Sequence, residues 1–180
     1  MDERLTTLLA EARERFPELG EPADAYGETS VDVPRASLVA VATWLRDEVP
    51  FEVLADWSCV DYLGAREPRF LLAAHLASPR HAFRLRARVW LDDGQDCPSL
   101  TGVWLGANAQ EREIFDFFGI RFEGHPDLRR VFMPEEWEGH PQRKDYPLGG
   151  VNVTYHGAFI PPPDLRQKVA KTSGYPGRHA

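Results

Sequence analysis

Four prolines, Pro126, Pro134, Pro141 and Pro147, recur every six to eight residues late in the chain. Proline has no amide hydrogen and a fixed φ, so no long helix or interior strand fits between them. The segment is therefore predicted to be extended. It is nevertheless rich in apolar side chains, namely Leu128, Val131, Phe132, Met133, Trp137 and Tyr146. A segment this short cannot bury those side chains by itself, so we expect it to lie on a surface.

A short acidic helix is predicted immediately before this segment. Asn108 is predicted to cap it, Glu111 follows three residues later as in a capping box, and Gly119 is predicted to end it in a left-handed conformation. The helix carries three acids, Glu111, Glu113 and Asp116. Glu111 and Glu113 are two residues apart and do not face each other on a helix, so they cannot share a proton as a catalytic pair. A structural or interface role is favoured over catalysis.

The first 123 residues alternate between helical and strand patterns. Apolar residues at helical spacing predict one helix from Leu5 to Phe16 and a second from Leu38 to Val49. Strand patterns occupy residues 29–33, 51–62, 69–77 and 82–91, and a loop is predicted at residues 21–28. The spacing of the last three strands predicts an antiparallel meander. We predict an α+β fold, with a two-layer domain of helices on a mainly antiparallel sheet at residues 1–123 and an extended, proline-rich, partner-binding segment and tail at 124–180.

Charge is unevenly distributed along the chain. Residues 1–123 hold 22 acids and 13 bases, whereas residues 149–180 hold one acid and four bases. An acidic body argues against a nucleic-acid surface, and the basic tail is a candidate interaction arm. Arg84, Arg86 and Arg88 share one face of a predicted strand, and a solvated face is favoured there over a site for an acidic partner.

No motif predicts a redox centre or a membrane anchor. Cys59 and Cys97 form no CxxC pair, which indicates a reducing compartment and no cysteine-ligated cluster. The histidines of the second half lack the helical zinc-binding pattern. No apolar stretch approaches about 18 residues, and the charged N-terminus lacks a signal-peptide pattern, so we expect the chain neither to enter nor to cross a membrane.

A long run of uncommon residues extends from Glu111 to Leu148. Its motif positions are Glu111-Arg112-Glu113, Asp116, Gly119, Gly124-His125-Pro126-Asp127-Leu128-Arg129-Arg130, Pro134-Glu135-Glu136-Trp137 and Arg143-Lys144-Asp145-Tyr146-Pro147-Leu148. This run resembles the 30 kDa subunit of respiratory complex I, which is the C subunit of the bacterial NADH-quinone oxidoreductase. It departs from the family at Phe132, which replaces a branched aliphatic residue, and at Gln142, which replaces Leu. Elsewhere the resemblance is one of length and element order.

The resemblance implies a non-catalytic structural subunit of the peripheral arm of proton-translocating NADH:quinone oxidoreductase, which supports the quinone-reducing module. The implied partners are the 49 kDa (D-type) subunit and the B-type subunit, with the I-type subunit as a further candidate. The implied location is the cytoplasmic face of the cell membrane, reached only through the complex. No cofactor is expected in this chain, since FMN, iron–sulfur clusters, NADH and quinone would be held by other subunits.

A partner interface is predicted on the acidic helix and the extended segment. Its bases alternate with acids, which predicts charge-assisted hydrogen bonds to a partner, with Phe132, Trp137 and Tyr146 as anchors. The predicted interface residues are Glu111, Glu113, Asp116, His125, Asp127, Arg129, Arg130, Glu135, Trp137, Arg143, Lys144, Asp145 and Tyr146. Two alternatives remain open: the equivalent subunit of a ferredoxin-dependent or hydrogenase-type membrane complex, and a free-standing enzyme using the acidic helix and His125.

Overall fold

A five-stranded sheet with helices on one side forms the centre of the domain. The structure, a computed structural model, describes residues 3–49, 51–147, 154–155 and 158–159. The helices are α1 (Glu3–Arg15), α2 (Leu38–Asp47), which follows a 3-10 turn at Arg35–Ser37, and α3 (Ala107–Phe118). The strands are β1 (Ala23–Ala25), β2 (Glu28–Asp32), β3 (Val53–Asp61), β4 (Phe70–Ser78), β5 (Phe83–Leu91), β6 (Cys97–Pro98), β7 (Phe122–Glu123), β8 (Thr154–Tyr155) and β9 (Ala158–Phe159).

The main sheet has the order β1-β2-β5-β4-β3. Strands β3, β4 and β5 form the predicted antiparallel meander, while β2 pairs with β5 in parallel. Strands β6 and β7 form a separate parallel pair. The first compact unit of the chain is Met1–Tyr146, and the second, Pro147–Ala180, contains the antiparallel pair β8 and β9. The α+β prediction is confirmed.

Period-two alternation explains why β4 and β5 bury one face together. Leu72 pairs with Val89 and Leu76 with Leu85, and all four side chains lie in the core. Burying an aliphatic side chain of this size contributes about 1.5 to 3 kcal/mol, so these pairs fix the register of the sheet.

The two predicted N-terminal helices form and pack on this core. They bury apolar side chains at helical spacing, and the buried set is Leu5, Leu9, Ala12, Leu38, Val41, Ala42, Trp44 and Leu45. Phe16, just after α1, meets Trp44 of α2 edge to face at a centroid distance of 6.2 Å, which joins the two helices. The spacing of apolar residues is therefore sufficient to predict both elements.

The loop prediction for residues 21–28 is wrong, because β1 forms there and pairs with β2. The turn between these strands is made by Tyr26 and Gly27, which both have positive φ. Tight hairpin turns require this geometry, and Asn-Gly or Asp-Gly is its usual sequence signal. The sequence does not reveal this turn, because a residue as large as Tyr26 rarely adopts a positive φ.

Residues 124–147 contain neither helix nor strand, as their prolines predict. We call this segment the strap. Isolated turns shape it, for example where the Trp137 N–H donates to the Pro134 carbonyl at 3.0 Å. The strap lies on the domain, since the Gln142 N–H donates to the carbonyl of Phe117 in α3 at 3.1 Å. Beyond residue 147 the predicted arm lies outside the described residues, apart from β8 and β9.

Candidate functional site

Helix α3 carries the acidic residues and supports the strap. The predicted capping by Asn108 is wrong: the helix begins at Ala107, after Gly106, with no side-chain cap. The turn at Leu100–Trp104 leads directly into it, since the Ala107 N–H donates to the Trp104 carbonyl at 3.0 Å. Gly119 ends the helix with φ 78°, as predicted. A Cβ on Gly119 would also lie 2.5 Å from the His140 ring, so glycine allows the strap to approach closely.

Asp116 holds the strap from inside the domain. Its carboxylate is fully buried, and its Oδ2 accepts hydrogen bonds from the backbone N–H groups of Val131, Phe132 and Met133 at 3.0, 2.8 and 2.9 Å. Its Oδ1 accepts from Arg130 Nη1 at 2.7 Å. We call these five residues the cradle. Burial pushes the pKa of Asp116 upward, but the hydrogen bonds from Met133 and Arg130 outweigh it, and the pKa is lowered. Asp116 is therefore ionised at neutral pH.

Arg130 extends the cradle along the strap. Its Nη2 donates to the carbonyls of Trp137 and Gly139, both at 2.9 Å, while Nη1 also reaches the Asp116 carbonyl at 3.2 Å. His140 Nδ1 donates to that same carbonyl at 3.0 Å. One guanidinium thus connects α3 to two further points of the strap, which fixes its course.

Glu111 is also fully buried, but it faces the other way. Its Oε2 accepts from the Ser99 hydroxyl and its Oε1 from the Leu100 N–H, both at 2.6 Å. The predicted capping box is therefore wrong, because Glu111 binds the preceding turn rather than its own helix end. None of the described residues supplies a cation to this carboxyl, and burial raises its pKa to about 7. Glu111 titrates near neutrality, whereas Asp116 does not.

A second attachment fixes the far end of the strap. We call it the ionic cluster, and it consists of Asp61, Arg69, Asp93, Arg143 and Asp145. Arg69 clamps Asp61 through Nε to Oδ1 at 2.9 Å and Nη2 to Oδ2 at 2.8 Å, and both side chains are buried. This bidentate geometry binds a carboxylate more strongly and with more defined orientation than a single hydrogen bond does. Because Asp61 ends β3 and Arg69 precedes β4, the pair lies at the end of the hairpin.

The strap contributes Arg143 and Asp145 to the ionic cluster. Arg69 Nη1 donates to Asp145 at 3.0 Å, and Arg143 Nη2 donates to Asp93 at 2.7 Å. The Lys144 N–H donates to Asp61 Oδ2 at 2.8 Å. The hydrogen bond from Arg69 is the main cause that lowers the pKa of Asp61 to about 2, and Arg69 and Arg143 lower the pKa of Asp145. The cluster thus stays charged across the physiological range.

The remaining predicted interface residues are closer to solvent. Glu113, Asp127, Arg129, Glu135 and the Lys144 side chain are exposed, while Trp137 and Tyr146 are half-buried. Arg129 pairs with Asp127 at 2.9 Å. The prediction that this whole set contacts a partner stays a prediction, but Asp116, Arg130, Arg143 and Asp145 have their contacts within the chain.

His125 bridges the start of the strap to α3. Its Nε2 donates to the Asn108 carbonyl at 3.1 Å, and its Nδ1 accepts from the Asp127 N–H at 3.0 Å. The amide N–H can only donate, so the ring proton lies on Nε2. His125 shares no contact with Glu111 among the described residues, so the two do not form an acid–base pair.

Asp61, Arg69 and Asp93 were missed by sequence reasoning. Asp61 had a usable signal, since it follows Trp57 and Cys59 at alternate positions and therefore points to the face that those residues occupy. A charged residue at such a position requires a partner, and Arg69 is the cation immediately before the next strand. Asp93 lies in an ordinary turn sequence and carried no signal.

Among the described residues no grouping of side chains has the arrangement of a metal or iron–sulfur site. Burial raises the pKa of both the Cys59 and the Cys97 thiols, whereas metal ligation requires thiolates. Within residues 3–49 and 51–147 no three His, Cys, Asp or Glu side chains group as metal ligands do. The same ranges contain no helix long and apolar enough to span a bilayer.

Comparison with known proteins gives a consistent result. The family described as respiratory-chain NADH dehydrogenase, 30 Kd subunit, matches residues 31–152. The C subunit of NADH-quinone oxidoreductase from Salinispora arenicola (strain CNS-205) is 46% identical over 162 residues, which cover 86% of this chain and 66% of the relative. The same-named protein of Roseiflexus sp. (strain RS-1) is 48% identical over 154 residues, covering 83% of this chain and 87% of the relative. The chain thus spans just under two thirds of the Salinispora protein.

Two solved structures share the fold. One is the trypsin-resistant fragment (1-134) of Nqo5, with 33% identity, a TM-score of 0.61 and coverage of 69% of this chain and 99% of the fragment. The other is a chain of the membrane-bound sulfane sulfur reductase, an archaeal respiratory membrane complex, with a TM-score of 0.60 and coverage of 81% and 87%. At 20% identity the second match concerns the fold alone.

Proposed function

The chain belongs to the family of the 30 kDa subunit of respiratory-chain NADH dehydrogenase, and we propose that it is a non-catalytic structural subunit in the peripheral arm of a proton-translocating NADH:quinone oxidoreductase. In this role it supports the quinone-reducing module. Electrons pass from NADH to quinone through cofactors on other subunits.

One observation carries this proposal: the charged residues of the family motif are used to fix the strap. Asp116 and Arg130 hold its middle, and its end is held where Asp145 accepts from Arg69 and Arg143 donates to Asp93. A catalytic site needs such groups free to engage a substrate, whereas these are paired with one another. Groups that bind one another instead give a rigid surface, which is what a scaffold subunit requires.

The proposed partners are the 49 kDa (D-type) subunit and the B-type subunit, with the I-type subunit as a further candidate. The names of the relatives support assembly into an oxidoreductase of several subunits. We further propose that the chain associates with the cytoplasmic face of the cell membrane through the complex alone. The basic residues of 149–180 would act as an additional arm on a neighbouring subunit.

The proposed cofactors of the complex are FMN and iron–sulfur clusters, with NADH as donor and a quinone as acceptor, all bound by other subunits. The protonated, buried thiols of this chain support the absence of a cluster site here. The names of the two relatives compared above support NADH rather than ferredoxin as donor. The separate positions of Glu111 and His125 disfavour a free-standing enzyme.

Gene replacement tests the proposal. Cells lacking this chain should lose the assembled complex on native gels together with membrane NADH:quinone reductase activity, and the intact gene should restore both. The purified chain should carry no stoichiometric iron or flavin and should not reduce quinone. A complex that assembles and turns over normally without the chain would refute the structural role, and turnover by the isolated chain would refute its non-catalytic character.

A truncation separates the domain from its proposed arm. Removal of residues 149–180 should leave the circular dichroism and cooperative melting of the purified chain unchanged, because the core formed by the described residues lies before residue 147. Incorporation into the complex should fall. Unfolding of the truncated chain would show that the tail belongs to the domain, and unchanged incorporation would show that it is not an arm.

A further inference from the structure

The strap presents apolar side chains to solvent at the point where it is held most firmly. Phe132 is 61% exposed and Val131 is 46% exposed. Phe117 of α3 stacks on Phe132 with centroids 5.3 Å apart and ring planes at 14°. We call Phe117, Val131 and Phe132 the apolar patch. Single exposed apolar residues are common, but two adjacent ones on an aromatic base are unusual.

The cradle determines that these side chains point outward. The backbone N–H groups of Val131, Phe132 and Met133 all donate to one buried oxygen, Asp116 Oδ2. Three consecutive amides directed inward restrict the rotation of this stretch. The backbone at Phe132 is thus held, and its ring rests on Phe117, before any partner arrives, which lowers the entropy cost of binding through it.

Three exposed acids lie close to the apolar patch along the chain. Glu113 lies one helical turn before Phe117, on the same side of α3, and Glu135 and Glu136 follow Phe132 closely in the strap. Among the ion pairs of the described residues none includes these three carboxylates. Arg129, an exposed base three positions before Phe132, pairs with Asp127. The patch therefore has exposed carboxylates near it that form no ion pair among the described residues.

From this geometry we infer that the apolar patch is the anchor by which the strap docks, and that its occupant is an apolar pocket with a basic rim on a neighbouring subunit. This inference rests on the proposed function, because it requires a multisubunit complex. It narrows the interface predicted from sequence, in which Phe132 was one of three anchors, because the chain uses several of the predicted charged residues internally. Binding anchors are typically aromatic, buried on docking and surrounded by a rim that excludes water.

The test places three variants in the chromosomal copy of the gene. Phe132→Asp should reduce recovery of the chain in the membrane complex roughly 30-fold or more, as expected for loss of an anchor. Phe132→Leu, which keeps an apolar side chain, should remain close to wild type. Leu105→Asp is the matched control, because Leu105 is 91% exposed and lies outside the patch. The three purified chains should melt within a few degrees of one another.

A photo-crosslinking amino acid at position 132 identifies the contact. It should join the chain to one subunit of the purified complex, at a peptide whose apolar residues are flanked by Lys or Arg, and the same reagent at position 105 should not. Replacing Glu113, Glu135 and Glu136 by Gln should make the complex easier to strip with salt.

Several outcomes would overturn the inference. They are full incorporation of Phe132→Asp, equal loss with Leu105→Asp, or a crosslink to a polar or acidic surface. Failure of the wild-type chain to enter any membrane complex would instead refute the proposed function, so the two failures are distinguishable.

Discussion

Asp116 and Glu111 lie on the same helix, both are fully buried, and yet their pKa values move in opposite directions. Asp116 accepts three amide hydrogen bonds and one from a guanidinium. Glu111 accepts one amide and one hydroxyl and has no cation among the described residues. Burial opposes the charged form in both cases, so the number and charge of the donors decide whether the carboxyl ionises.

The two carboxyls therefore contribute differently to the molecule. Asp116 is a permanent anion that organises backbone belonging to the strap. Glu111 links α3 to the turn at Ser99 and Leu100 and can exist in either protonation state near pH 7. The protonation state of a buried acid on an amphipathic helix therefore cannot be assigned until its hydrogen-bond donors are known.

The largest effect on stability is expected when the ionised carboxylate, Asp116, is removed. Asp116→Ala should lower the free energy of unfolding by about 3 to 5 kcal/mol, because it leaves Arg130 and three amides without their acceptor. Urea denaturation at pH 7 measures the change. Glu113→Ala, on the same helix but exposed, should change it by less than about 0.5 kcal/mol. Equal losses of unfolding free energy from the two variants would contradict the stabilising role assigned to the buried Asp116.

A second variant sharpens this result. Arg130→Ala should also destabilise the chain, and the double variant Asp116→Ala/Arg130→Ala should lose less than the two single losses added together, since the residues share one contact. Strict additivity would show that the cradle is not a unit.

The next largest effect is a pH dependence from Glu111. Its pKa is raised from 4.5 to about 7 on folding, so between these values the native state binds more protons than the unfolded state. Stability should therefore fall by roughly 3 kcal/mol as pH rises from about 4.5 to 7 and then level off. Chemical denaturation at a series of pH values measures this slope. Glu111→Gln, which cannot ionise, should remove it, and an unchanged slope would contradict the assignment.

The contribution of Asp61 to stability should change with pH in the opposite direction, and at acidic pH. Its folded pKa of about 2 lies below the ordinary value of 3.8, so its contribution is complete above pH 4 and is lost as pH falls through about 2. The expected size is about 2 kcal/mol. Acid-induced unfolding of wild type and Asp61→Asn measures it, and the variant should show a weaker decline. If both proteins decline equally, the ionic cluster is not what acid disrupts.

A small effect is expected at Arg129, the neighbour of Arg130. Its side chain is 65% exposed and pairs only with the exposed Asp127 among the described ion pairs. Arg129→Ala should change the free energy of unfolding by less than about 1 kcal/mol. Thermal melts of the Arg129→Ala and Arg130→Ala chains side by side provide the measurement. A larger loss at Arg129 would mean that exposure does not separate these adjacent arginines.

The core of the fold could be predicted because periodicity reports burial directly. The alternation in β5 and the helical spacing of Leu5, Leu9 and Ala12 each follow from a single repeated contact with one surface. The β1–β2 hairpin could not be predicted in this way, since Tyr26 adopts a backbone conformation that its side chain disfavours. Local propensity fails where tertiary pairing outweighs it.

The site was predicted only in part. Gly119 and the extended course of the strap follow from residue types with strong backbone preferences. The partners of Glu111 and Asp116 do not, because a carboxylate accepts from any donor nearby and its sequence neighbours do not identify that donor. Ser99, 12 positions away, and Arg130, 14 positions away, were brought close by the fold.

The hydrogen bond from the Lys144 N–H to Asp61 joins positions 83 residues apart. Closing a loop of that length has an entropy cost that precedes the stabilising contact. This cost falls only once the sheet between the two positions has formed. The strap is also the last part of the first unit to leave the ribosome. Its attachment is therefore a late event in folding, and variants of Lys144's neighbours Arg143 and Asp145 should accelerate unfolding while leaving the folding rate almost unchanged.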